Sequence, residues 1–298
     1  VAFRFAVLGG LSRSRFDAGV LVDDAMRGAA RIGAGAAVLL LGAALLRLWA
    51  QGAAILGTGA PDPGAIGSLL LETTWGRGWL VQATAAPAAL LAFLRARSGR
   101  RDGWSLALVA AVAAAFSPAL MGHAIAHEHY PRLAVLADGA HVLGAGGWLG
   151  SLFVLLTAGL AATQRMPEET RADGVRALVH AFSPTALTFA AAVVASGAVS
   201  TALNVGSVAA FTSSAYGRTL LVKLALLSTV FAVGAWNWLQ VRPRLGAPGT
   251  TARLRRSSSV ELALAILVLA ITAVLVATPP AVEAAVEAAF PPAAVSTR

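Results

Sequence analysis

The feature that most constrains this chain is a series of apolar stretches, each about long enough to cross a lipid bilayer. They occupy residues 25–55, 78–94, 104–121, 133–162, 179–203, 219–239 and 260–277. A helix rises about 1.5 Å per residue, so roughly 18–20 apolar residues cover the ~30 Å hydrocarbon core. Composition agrees: hydrophobic residues make up 57% of the chain and charged residues 12%, where a soluble domain carries about 25% charged residues. The expected fold is all-α, a polytopic membrane helix bundle. Val1 to Leu11, apolar apart from Arg4, reads as the end of a truncated first helix and brings the expectation to about eight transmembrane helices. Residues 1–278 then form the transmembrane domain. Residues 279–298, after Pro279-Pro280, form a short Ala/Glu tail outside the bilayer. Pro87 and Pro184 fall inside or at the start of spans, which membrane helices tolerate.

The formal net charge is +9, but it does not point to nucleic acid. The arginines lie in short connections between apolar stretches, where they set membrane orientation. One side gathers Arg13, Arg15, Arg27 and Arg31, then Arg95, Arg97, Arg100 and Arg101. It continues with Arg165, Arg171 and Arg176, and with Arg242, Arg244, Arg253, Arg255 and Arg256. The other side holds Arg47, Arg77, Arg132, Arg218 and Arg298. The first side is expected to be cytoplasmic. The connections 56–77, 122–132 and 204–218 and the C-terminus then face outward. Trp49, Trp75, Trp79, Tyr130 and Tyr216 fall at the outer boundary and Trp104 and Trp238 at the inner one, as an aromatic belt requires. The absence of cysteine excludes disulfides and thiolate metal sites.

A short element recurs. Trp75-Gly76-Arg77 and Tyr216-Gly217-Arg218 each open an inward-running span after an outer connection with a Gly-Ser pair, Gly67-Ser68 and Gly206-Ser207. The copies lie four spans apart and share orientation, which suggests two parallel four-helix repeats. Generic helix starts explain the pair equally well.

Five histidines carry the chemical information. His123, His127 and His129 lie in one outer connection. His141 lies in the 133–162 span, with Asp138 one turn earlier on the same face. His180 stands at the opposite side of the membrane. Imidazole suits copper, zinc, nickel and iron, and the thioether of Met121 adds a preference for Cu(I). The candidate metal ligands are therefore His123 and His141, with Asp138 ligating or orienting, and Met121, His127 and His129 at the mouth. A solvated polar turn explains His127 and His129 as well as a metal does. Ionisable groups within the membrane point to function more strongly. Ala140/Gly144 and Gly146/Gly150 are small-residue pairs that let a neighbouring helix approach. Lys223 and Asn237 are polar groups in the 219–239 span that anchoring or packing explains as well as ion passage does. No P-loop, dinucleotide fingerprint, HExxH or serine-nucleophile motif occurs, so nothing points to an enzyme.

The ordered set Gly122-His123-Ala124, Asp138-Gly-Ala-His141, Gly147-Trp148-Leu149-Gly150, Phe182-Ser183-Pro184, Tyr216-Gly217-Arg218 with Lys223, and Asn237 with Arg242-Pro243-Arg244 resembles the bacterial copper resistance protein D (CopD) family. The resemblance covers roughly residues 121–280. It implies a multi-pass inner-membrane protein that handles copper beside a periplasmic copper carrier. Two features depart from the family pattern: Trp238 follows Asn237 in place of a basic residue, and three methionines do not line a Cu(I) path. The leading reading is a copper-binding protein that passes copper inward from the outer face. Two alternatives stay open. One is a b-type haem electron carrier with His123 and His141 as axial ligands; the other is a non-catalytic subunit of a larger membrane complex.

Overall fold

The computed structural model describes residues 1–11, 19–56, 62–247 and 249–289. Arg13, Arg15, part of the 56–77 connection and the end of the tail with Arg298 lie outside the described residues. Among the described residues, seven helices are long and apolar enough to cross a membrane. These are α1 (Gly19–Leu56), α2 (Thr74–Arg97), α3 (Asp102–Met121), α4 (Pro131–Val154), α5 (Glu168–Val205), α6 (Ala215–Trp236) and α7 (Thr250–Ala277). Helix α4 continues through a π-helical turn at Leu155–Gly159 into Leu160–Thr163, and α6 continues into a π-helical turn at Asn237–Val241. The protein is the all-α membrane helix bundle that its apolar stretches imply, with no strand among the described residues. Before these spans, Phe3–Leu8 and Gly9–Leu11 are also helical, and Phe3, Val7, Leu8 and Leu11 are buried.

Several helices outrun their apolar stretches. Helix α5 begins at Glu168 and α7 at Thr250, because polar residues continue a helix where lipid ends. Glu168 and Glu169 in the first turn of α5 also complement its dipole. The 56–77 connection, expected to be a loop, holds a helix at Pro63–Glu72. Asp62 caps it by accepting from the Ala65 amide at 3.3 Å, and Pro63 occupies its first turn, a start signal present in the sequence.

The chain divides into two compact units, Val1–Gly197 with Arg244–Thr251, and Ala198–Pro243 with Ala252–Arg298. In the first unit, glycines set the helix contacts. Helices α2 and α3 form an antiparallel hairpin whose backbones touch at both ends, Gly78 against Leu120 and Met121, and Gly103 against Ala92 and Ala96. The Phe93 ring fills the space over Gly33 of α1, and the Trp79 indole N–H donates to the Ala44 carbonyl at 2.8 Å. Helix α4 sets Gly139 against Phe116 of α3, and Gly144 and Gly147 against Phe189 and Val193 of α5. Gly144 thus makes the close approach expected of it. Gly146 and Gly150 face open space, because each residue turns a helix by about 100° and carries them off the packed face.

In the second unit, Val205, Leu220 and Leu275 form a buried cluster flanked by Ala210, Phe211 and Tyr216. Gly206, at φ +73°, turns the chain at the end of α5, and Val282 of the tail helix Ala281–Ala289 packs over it.

The recurring element has the same local build in both units. Thr73 and Ser214 sit in extended conformation (φ/ψ −92°/151° and −94°/153°) before α2 and α6. Each hydroxyl accepts from the glycine amide three residues on, Gly76 or Gly217, at 2.9 Å. Each also donates to the carbonyl four residues back, Leu69 at 2.6 Å or Ala210 at 2.7 Å. A short preceding helix, Pro63–Glu72 or Ala210–Ser213, lies directly on the glycine: a Cβ would fall 2.2 Å from the Leu69 oxygen or 2.1 Å from the Ala210 oxygen.

Candidate functional site

Helix α3 ends at Met121 because Gly122 takes an extended conformation (φ −112°, ψ −163°). A single turn, His123–Ala126, follows, and Pro131 opens α4 from its first turn. So short a connection keeps the ends of α3 and α4 side by side, with Gly139 under the Phe116 ring.

Each expected ligand has a distinct setting. Met121 is buried, its side chain laid against Gly78 of α2. His123 is exposed and Asp138 half-buried. His127 turns back on its own loop, where its Nδ1 accepts from the Tyr130 amide at 3.2 Å and the His129 amide at 3.4 Å. That ring caps the approach to α4, and its Nδ1 lone pair is already engaged. His129 is solvent-exposed, 3.9 Å from the neighbouring Glu128 carboxylate. Among the described residues, no group of three or more His, Cys, Asp or Glu side chains gathers as a metal-holding cluster.

His141 is held most specifically. It is half-buried on α4 and faces α5, where Nδ1 lies 3.1 Å from the Val193 carbonyl and 3.2 Å from the Ser196 hydroxyl. Gly197 makes room for the ring, whose Cε1 lies 3.2 Å from where a Cβ there would be. These partners fix the tautomer. The Val193 carbonyl only accepts, and Ser196 directs its one hydroxyl proton to the Ala192 carbonyl at 2.6 Å. Both therefore accept from His141, so Nδ1 carries the hydrogen and Nε2 the lone pair. This is the usual arrangement of a metal-binding imidazole, oriented by a second partner on its other nitrogen. His180, also on α5, is exposed and lies 13 residues before Val193, about 20 Å away along the helix.

Sequence reasoning missed two groups. Ser196 is one of six hydroxyl residues in the 179–203 stretch, and the adjacent Ser196-Gly197 pair was its signal. Glu261 is the one acidic residue in the 260–277 stretch. It is buried and hydrogen-bonded to Asn237.

Residues 176–275 match the family described as copper resistance protein D, and residues 3–133 match the copper resistance protein D-like N-terminal domain. The chain belongs to the copper resistance protein D family. The N-terminal match extends the family through the first half of the chain, ahead of the residues that carry the resemblance, and takes in Met121, His123, His127 and His129. Asp138 and His141 lie between the two matched segments. A curated family relative, the copper transport protein CutJ of Bacillus subtilis (strain 168), is 30% identical over 252 residues. That alignment covers 82% of this chain and 45% of the relative, so the chain spans less than half of that protein's length. No solved structure matches the chain significantly.

Proposed function

We propose that the chain is a copper-binding protein of the bacterial inner membrane that takes copper from the periplasmic face and passes it inward. The observation that carries this reading is His141, an imidazole within a membrane helix whose Nδ1–H is anchored on α5. That anchoring leaves Nε2 as the lone-pair nitrogen, the atom of this ring that suits a metal. His123 and Asp138 complete the inner ligand set, and Met121, His127 and His129 hand the ion on from the mouth. The family and its relative CutJ supply copper as the cargo. Imidazole nitrogens with a thioether at the mouth are donors that copper accepts. Use of His127 as a ligand requires its loop amides to release Nδ1. The alternation of arginines between connections orients the molecule, with the His123–His129 loop and the C-terminus outside. A periplasmic copper carrier is the expected donor partner at that mouth.

Metal analysis of the purified protein tests the site. Bound copper is expected in the wild type, lost in His141→Ala and retained in His180→Ala. Equal copper in wild type and His141→Ala contradicts the proposal. An intense Soret band in the purified protein contradicts it in favour of haem.

A further inference from the structure

Helix α7 is almost wholly apolar beyond its arginines, yet it carries a carboxylate. Glu261 follows Arg256 by five residues, about 7.5 Å further along the helix, and its side chain is buried, with the residue 5% exposed. Two helices build its surroundings. Asn237 of the α6 extension donates from Nδ2 to Glu261 Oε2 at 3.3 Å. Ser257, one turn before Glu261, lies 2.5 Å from Asn237 Oδ1 and donates to it. That contact fixes the amide so that its NH2 faces the carboxylate. The other oxygen, Oε1, faces Gly234, where even an added Cβ would stand off at 3.5 Å. The α6 backbone widens into a π-helical turn from Asn237 to Val241, a distortion that recurs where side chains are re-aimed for function.

The charged groups nearby do not neutralise Glu261. Arg253 and Arg256 share its helix and are exposed. On the α6 side, the Arg242 guanidinium lies over the Trp238 ring at 4.2 Å. Lys223 lies 14 residues from Asn237, about 21 Å along the helix. Among the described residues, the side chain that reaches the carboxylate from a neighbouring helix is Asn237. A carboxylate buried without a cation is costly in its charged form.

We propose that Glu261, Asn237 and Ser257 form an intramembrane proton-binding site. A proton from water adds to Oε1 to give the neutral acid, and its release restores the carboxylate. Oε2 keeps the Asn237 hydrogen bond in both states, and no other bond changes. The site gives α7 a charge that switches on and off inside the bilayer, the element that couples proton movement to cation movement in membrane transporters. It uses neither the histidines nor a metal, so it stands apart from the copper reading.

Infrared difference spectroscopy of the full chain in lipid nanodiscs, with pH as the variable, tests it. A carboxylic-acid carbonyl band that disappears as pH rises and shifts in heavy water is expected in the wild type. Glu261→Gln, isosteric with the neutral acid, is expected to fold and to lack the band. In Asn237→Ala the band is expected to persist at a shifted frequency. An unchanged difference spectrum in Glu261→Gln overturns the proposal. So does a band abolished by sodium or potassium at constant pH, which identifies a metal-cation site instead. If Glu261→Gln does not fold, an unshifted band in Asn237→Ala overturns it.

Discussion

His141 shows how a single side chain acquires direction. Its ring nitrogen donates to Val193 and Ser196 on α5, and removal of such an orienting partner from a metal ligand typically costs about 10–100-fold in affinity. Ser196→Ala is therefore expected to weaken copper binding by about 10-fold or more, and Ser196→Thr to restore most of it. Copper titration of the purified variants checks both. Protonation competes with metal for Nε2, so binding is expected to weaken as the solution is acidified. A histidine inside an apolar stretch was legible from the sequence. Ser196 was not, because its role depends on the register of α4 against α5, and Ala/Gly/Val-rich faces leave that register open. The sequence also could not distinguish His127, whose Nδ1 serves its own loop, from a histidine that faces outward.

At the scale of helices, glycines decide where backbones meet. Gly76 and Gly217 each lie under a short helix, with a carbonyl oxygen 2.2 or 2.1 Å from where a Cβ would go. Gly76→Ala and Gly217→Ala are each expected to destabilise the protein by about 1–3 kcal/mol, the usual cost of overpacking. Gly146→Ala and Gly150→Ala, which face open space, are expected to leave stability unchanged. Thermal unfolding in one detergent compares all four variants. The sequence showed that Trp75-Gly76-Arg77 and Tyr216-Gly217-Arg218 correspond. It did not show the cause, a hydroxyl that caps the long helix and closes the short one, because Thr73 and Ser214 differ in type and the preceding helices differ in length. The Gly146/Gly150 pair was misplaced for a related reason: a small-xxx-small spacing marks a face that can pack, and the neighbours decide which face does.

For the whole molecule, the seven spans found among the described residues were legible, because the bilayer imposes both a length and a polarity on the chain. The family was legible from an ordered set of weak motifs, none of which decides alone. Arginine alternation carries the orientation. It predicts that Ser98→Cys, exposed in the α2–α3 turn, resists an impermeant thiol reagent in intact cells and reacts after permeabilisation; labelling in intact cells contradicts that orientation. Copper flux into proteoliposomes with the histidine loop facing outward tests the central claim most directly. Saturable copper entry is expected in the wild type and in His180→Ala, with entry lost in the His123→Ala/His141→Ala double variant. Undiminished entry in the double variant contradicts the account.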